Sequence, residues 1–147
     1  MKVKVAAYAK INLMLDIVSL RTDGYHDLFM IMQSVGVHDI VTVSENKSRK
    51  ISITCAEEGI PLDESNICWK AAKGFFKYTK KRNKGINIDI QKKIPHAAGL
   101  AGGSADGAAV IKALNEIYCT ELSDKEMCEI GVKIGADLPF CLTGGTL

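Results

Sequence analysis

The 147-residue sequence predicts an α+β domain, and three observations carry that prediction. Period-two alternation of apolar and polar residues dominates the chain before residue 56, the mark of strands half-buried on one face. Apolar residues at three- and four-residue spacing, each run opened by a capping residue, dominate after residue 64. Between them, Pro95 to Asp106 is a run of small residues placed where a strand hands over to a helix.

The elements follow in order. Val3, Val5 and Ala7 alternate with Lys2, Lys4 and Ala6, and Leu13, Leu15 and Ile17 extend the strand character past Lys10. Arg21-Thr22-Asp23-Gly24 has the chemistry of a hairpin turn, since Asp-Gly supplies a position with positive φ. Further strands are expected at Leu28 to Val37, Ile40 to Val43, Ile51 to Cys55 and Ile86 to Ile90. Ser65 or Asn66 caps a helix with the stripe Ile67, Ala71, Ala72, Phe75 and Phe76. Trp69 is expected to pack on a face of this helix, and the basic run Lys80 to Lys84 is its solvated C-terminal end. A second helix is expected from Ser104 to Tyr118, in whose first turn Gly107 costs up to ~1 kcal/mol against Ala. Ser123-Asp124-Lys125-Glu126 is a capping box for a third, with Met127, Ile130 and Ile134 as its stripe and Gly135 as its stop.

Length and composition fit one soluble domain, residues 1–147. A formal charge of +2 with interspersed signs gives no reason to expect nucleic acid or a membrane surface as partner. Five cysteines without a Cys-x-x-Cys pair suit a reducing compartment and small core positions better than a disulfide framework. With no leader and no apolar run near the ~20 residues that span a bilayer, a cytoplasmic location is expected.

The small-residue run is the feature with chemistry in it. Glycines remove the Cβ atoms that keep backbone away from a ligand, and the first N–H groups of the following helix attract an anion. Pro95, His96, Ala97, Ala98, Gly99, Leu100, Ala101, Gly102, Gly103, Ser104 and Ala105 therefore read as a phosphate cradle. A P-loop is excluded because no Lys follows Gly103, and a dinucleotide fingerprint because Ala101 stands where Gly is needed.

Pro-x-x-x-Gly-Leu-x-Gly-Gly-Ser-Ala resembles the second motif of the GHMP kinases, the family of galactokinase, homoserine kinase and mevalonate kinase. Ala7-Tyr8-Ala9-Lys10-Ile11-Asn12-Leu13 and Arg21-Thr22-Asp23-Gly24-Tyr25-His26-Asp27-Leu28 resemble two further motifs of the branch acting on a cytidyl diphosphate. The resemblance implies the N-terminal lobe of that family, a two-layer sandwich like domain 2 of ribosomal protein S5. It implies an ATP-dependent kinase that uses Mg²⁺ and a small-molecule cytidyl diphosphate with a free hydroxyl. The family also carries a second lobe, and the chain closes on the apolar pattern Phe140 to Leu147, so a C-terminal lobe is expected to be missing. Oligomeric state is not readable.

The same resemblance distributes roles. Lys10 and Asp137 become the catalytic couple, Asp137 taking the hydroxyl proton and Lys10 stabilising developing charge. On residue chemistry alone, Lys10 reads equally as a solvated strand lysine and Asp137 as a turn former in Gly135-Ala136-Asp137-Leu138-Pro139. Tyr25 and His26 would hold the cytosine with Asn12 near the reacting end, against a hairpin-packing and a surface-polar reading. Asn66 would border the adenine. Ser104 would cap its helix or touch Mg²⁺, and Asp106 would lie near phosphate or metal, though an acid suits a first helical turn anyway. His38 and His96 are expected to be structural or exposed. The alternatives are another alcohol acceptor within the family, or a nucleotide-binding module without catalysis.

Overall fold

The computed structural model describes residues 1–147. Strand β1 (Lys2–Leu20) and strand β2 (His26–Glu45) form one long antiparallel hairpin. β3 (Ile51–Cys55), α1 (Ile67–Thr79) and β4 (Ile86–Gln91) form a crossover unit, with β3 parallel to β4. α2 (Gly102–Ile117), α3 (Asp124–Gly131) and α4 (Leu138–Thr143) complete the chain. The sheet order is β1-β2-β4-β3, β4 lying antiparallel to β2. β4 alternates cleanly: Ile86, Ile88 and Ile90 are buried under the helical layer, whereas Asn87 and Asp89 face outward.

α2 is the central helix. It packs on β1, β2, α1 and α4, and ten of its sixteen residues are buried, so it is apolar nearly all round. Ala105, Ala108, Ala109 and Ala113 bring it close to the sheet, and Val110, Ile111 and Leu114 fill the space beside Phe75 and Val41.

Gly107 is not the mild helix penalty that propensity suggests. A Cβ there would stand 2.7 Å from the γ2 methyl of Ile67 and meet Ala71 and Leu138 as well. Gly107→Ala is therefore expected to lower stability by about 1–3 kcal/mol through overpacking, outweighing a helix gain of up to ~1 kcal/mol. Adding Ile67→Leu, which moves the branch away from Cβ, should recover most of the loss. Urea unfolding checks both variants, and a Gly107→Ala chain as stable as its parent contradicts the clash.

Several boundaries differ from the sequence reading for local reasons. Leu28 to Val37 and Ile40 to Val43 are one continuous strand, because Gly36 to Asp39 stay extended and Asp39 pairs opposite Ala7. Asn66, not Ser65, caps α1, its Oδ1 accepting from the Cys68 amide at 2.8 Å. α2 begins at Gly102, so Ser104 lies inside the first turn; the cap position belongs to Ala101, and no side chain caps this end. The capping box of α3 forms as expected, but the regular helix stops at Gly131 and one further turn runs to Gly135. α4 was absent from the sequence reading: six residues are too few for a periodic stripe, and Pro139 at its first turn reads as a breaker.

Half of the hairpin leaves the body of the fold. From Ile11 to Leu20 and back through Phe29 the arm is exposed on both faces, although it carries Leu13, Leu15, Ile17, Val18, Leu28 and Phe29. Register shifts interrupt its ladder between Asn12 and Met14 and between Ile17 and Ser19. At the other end of the chain, Gly145 to Leu147 pair antiparallel with Met32 to Ser34 of β2.

Candidate active site

The cradle is built from backbone. Ala97, Gly99 and Ala101 all adopt left-handed φ values, 58°, 72° and 57°, so the loop coils tightly before α2 starts. An alanine in that region costs of order 1 kcal/mol and persists only where its surroundings impose it. Ala101 offers no side chain to cap α2, and the first amide with an intrahelical partner is that of Ala105, bonded to the Ala101 carbonyl at 2.8 Å. The N–H groups of Gly102, Gly103 and Ser104 are left for a ligand, at the positive end of a sixteen-residue helix. A cleft of about 340 Å³ opens over them, lined by Pro95 to Gly103 together with Asn66, Lys92 and Asp106.

Lys10 is tied to the glycine loop through an irregularity of β1, although it does not line the cleft itself. Ala9 and Lys10 are buried consecutively, which strict alternation forbids, and the ladder shifts register between Tyr8 and Lys10. The bulge turns the Lys10 amide onto the Leu100 carbonyl at 3.1 Å, tying β1 to the glycine loop. It also sends the side chain inward, where Nζ donates to Asn12 Oδ1 at 3.0 Å and lies 3.9 Å from Asp137 Oδ1. Lys10 is buried while the Asp137 side chain is 39% exposed, so the carboxylate is accessible from solvent. Asp137 occupies the cap position of α4 without making a capping bond, so its oxygens serve no structural purpose there. The Ser104 hydroxyl lies near the turn that precedes α4, where a Cβ on Gly135 would come within 3.9 Å of it.

Other candidates are placed differently. Asn66 lines the cleft, but its amide is spent on the α1 cap and on the Pro61 carbonyl at 2.6 Å. Tyr25 and His26 sit at the tip of the arm, ten residues beyond Lys10 on the ladder, about 30 Å of extended chain at ~3.3 Å per residue. Both are exposed, and the structure does not bring them to Lys10. Trp69 is half-buried on α1 with the Lys73 ammonium 5.2 Å over its ring. His38 stacks against Tyr8 and His96 is exposed. A larger hollow of about 870 Å³ lies between α1 and α3, but it is lined by exposed lysines and contains none of the cradle's backbone.

One charged cluster escaped the sequence reading. Beneath the loop, Asp39 of β2, Lys92 at the exit of β4 and Asp106 of α2 are buried together. Lys92 Nζ donates to Asp39 Oδ2 and, at 2.9 Å, to Asp106 Oδ2, while Asp39 Oδ1 accepts the backbone amides of Lys93 and Ile94. Burial would lower the Lys92 ammonium's affinity for its proton, but the hydrogen bonds and charges of the two carboxylates raise it overall. Burial pushes the Asp106 carboxyl up to about 7, against the opposing charge and hydrogen bond of Lys92. Its Oδ1 is buried without any partner. Three charges in unrelated stretches of sequence carry no spacing signal; the only hint was an aspartate inside the apolar run from Val35 to Val43.

The GHMP kinases N terminal domain matches residues 66–145. A 4-diphosphocytidyl-2-C-methyl-D-erythritol kinase of Clostridium acetobutylicum is 52% identical over 142 residues, 97% of this chain and 50% of that protein. The enzyme of the same name from Caldicellulosiruptor bescii is 49% identical over 143 residues, again 97% of this chain and 50% of its own length. The chain thus spans about half the length of the curated relatives it matches. Among solved structures, a 4-(cytidine 5'-diphospho)-2C-methyl-D-erythritol kinase superposes with a TM-score of 0.80 at 30% identity, covering 96% of this chain and 49% of that one. The mevalonate kinase of Methanococcus jannaschii, at 20% identity and a TM-score of 0.79, shares the fold over 100% of this chain and 53% of its own.

Proposed function

The chain belongs to the GHMP kinase family, and from that premise we propose that residues 1–147 are the ATP-binding half of a kinase that phosphorylates the 2-hydroxyl of 4-diphosphocytidyl-2-C-methyl-D-erythritol, a step of non-mevalonate isoprenoid precursor synthesis. The observation that supports it most is the approach of Lys10 and Asp137 to 3.9 Å, with the Lys10 amide bonded to Leu100 in the loop that leads into three unpartnered helix amides. Phosphoryl transfer asks a protein mainly for position and charge. The free amides of Gly102, Gly103 and Ser104 would hold the triphosphate, Asp137 would take the proton from the attacking hydroxyl, and Lys10 would balance charge on the transferring group. Asn12 fixes the Lys10 ammonium and stands near the reacting end.

Mg²⁺ fits the site as a nucleotide-borne ion. Mg²⁺ prefers oxygen ligands and is commonly carried by substrate phosphates, keeping several of its waters. Hard oxygen donors nearby are the uncapping Ser104 hydroxyl and the partnerless Asp106 Oδ1. When bound, the ion would neutralise charge accumulating on the phosphates.

For Tyr25 and His26 to hold the cytosine of the same molecule, the arm must fold back over the cleft. Its register shifts at Asn12/Met14 and Ile17/Ser19 give it places to bend, and covering its apolar faces would drive the bending. A second lobe like that of the full-length relatives would supply such a cover. No helix of the chain is long and apolar enough to cross a membrane; a cytoplasmic location is part of the proposal and rests on the small-molecule kinase reading.

Isothermal titration with ATP, followed by an ATP-consumption assay with the cytidyl acceptor, tests the reading. Both are run on this chain and on its fusion to the C-terminal half of the Clostridium acetobutylicum relative. ATP binding by both and acceptor-dependent turnover by the fusion are expected. Binding without turnover would leave a nucleotide-binding module, and turnover with mevalonate or homoserine instead would reassign the acceptor.

A further inference from the structure

We propose that Asp39 is a positioning residue of the nucleotide site, holding the entrance of the cradle and the Lys92 ammonium in the arrangement that keeps the α2 amides open. The inference rests on the reading of the cradle as a nucleotide site and concerns a residue that contributes nothing to the cleft's own lining.

Asp39 is fully buried, and its two oxygens do different work. Oδ1 accepts from the amides of Lys93 and Ile94, the last two N–H groups before Pro95 begins the loop; the Ile94 bond is 2.8 Å. Oδ2 takes the Lys92 ammonium, which passes on to Asp106, one turn beyond the loop's exit. A single carboxylate in β2 thus controls both ends of the segment between Ile94 and Gly102. The control is steric as well as electrostatic. A Cβ on Gly102 would stand 3.1 Å from Lys92 Nζ and 3.1 Å from the Ile94 γ2 methyl, so the groups that Asp39 fixes leave room at the first residue of α2 for little more than a glycine.

A carboxylate is required because both sides of Asp39 present donors. The isosteric amide of Asn offers one oxygen and one NH₂. If the oxygen stays on the backbone amides, the NH₂ faces the Lys92 ammonium; if it turns to Lys92, the NH₂ faces the backbone amides. Either way one side of the clamp loses its acceptor in a buried place, where that loss is felt in full.

Asp39→Asn in this chain is expected to raise the ATP dissociation constant, measured by isothermal titration, on the order of tenfold. The amide resonances of Gly102 and Gly103 in ¹H–¹⁵N spectra should shift in the ligand-free variant, a change confined to the loop and α2 that a general loss of stability would not produce. Asp89→Asn, at a half-buried carboxylate on the outer face of β4 that accepts from Thr54 and is absent from the cleft's lining, should bind ATP as the parent does. A folded Asp39→Asn chain with parental affinity and unshifted glycine amides overturns the proposal. Hydrogen exchange on the unaltered chain decides the matter if the variant does not fold. The Lys93 and Ile94 amides should be protected with or without ATP, whereas those of Gly102 to Ser104 should gain protection only with ATP. Rapid exchange at Lys93 and Ile94 also overturns it. Absence of ATP binding by the parent would instead remove the nucleotide reading, and the role of Asp39 with it.

Discussion

Asp137→Asn, introduced into the fusion that carries a C-terminal half, is expected to lower kcat by about 10²- to 10⁴-fold, the usual cost of losing a general base and equivalent to roughly 3–5 kcal/mol of barrier. The substitution keeps size and shape and removes only the ability to take a proton. Its structural cost should be small, because the side chain is 39% exposed, makes no capping bond to α4 and touches Lys10 only at 3.9 Å. The KM for ATP should stay within about threefold, since the cradle's amides belong to α2 and its loop rather than to the turn before α4. A drop in kcat without a change in melting temperature or ATP affinity separates base removal from misfolding. Near-parental turnover in a folded fusion would remove Asp137 from the chemistry and leave it as the turn former its Gly/Pro surroundings also permit.

What makes Lys10 and Asp137 meet is only partly written in local sequence. The Gly-rich run and its helix were legible, because composition dictates what such backbone can approach. The strands and capped helices were legible from period and cap chemistry, and Ser123 with Glu126 formed the expected reciprocal pair. The bulge at Lys10 was not, because it appears in sequence as an ordinary position in an alternating strand. It takes the Leu100 carbonyl, ninety residues away, to give the displaced amide a partner. The same limit hid α4, whose six residues are held by Leu138, Phe140 and Leu142 packing inward rather than by propensity.

The arm shows the opposite case, where sequence and structure each tell half. Its alternation of apolar residues predicts a strand with one buried face, and the strand is there, yet both faces lie open. Within residues 1–147 no surface covers either face. Tyr25 and His26 therefore stand far from Lys10 along the arm, and their proposed role depends on a neighbour that bends it.

The buried cluster beneath the cradle carries the second large expectation. Lys92→Met should destabilise the chain by about 3–5 kcal/mol at pH 8, because Asp39 and Asp106 lose the cation between them and the buried Asp106 must either take up a proton at an unfavourable pH or remain a second uncompensated charge. The penalty should shrink on acidification, and the sign follows from Asp106. Its carboxyl sits near 7 in the folded chain against an ordinary value of 3.8, so between about pH 4 and pH 7 the folded state holds a proton that the unfolded state has released. Stability from this group therefore grows as pH falls through 7 and is lost as pH rises through it. Without Lys92 the folded-state value climbs further, and at pH 5.5 Asp106 is neutral, leaving one buried carboxylate that still has its two backbone donors. Urea unfolding of parent and variant at pH 8 and pH 5.5 measures both penalties, and Lys92→Met/Asp106→Asn should recover much of the loss at pH 8. Equal penalties at the two pH values would mean that Asp106 does not take up the charge imbalance. A loss below about 1 kcal/mol would mean that Lys92 holds nothing in place beneath the cradle, and the clamp assigned to Asp39 would have no cation to grip.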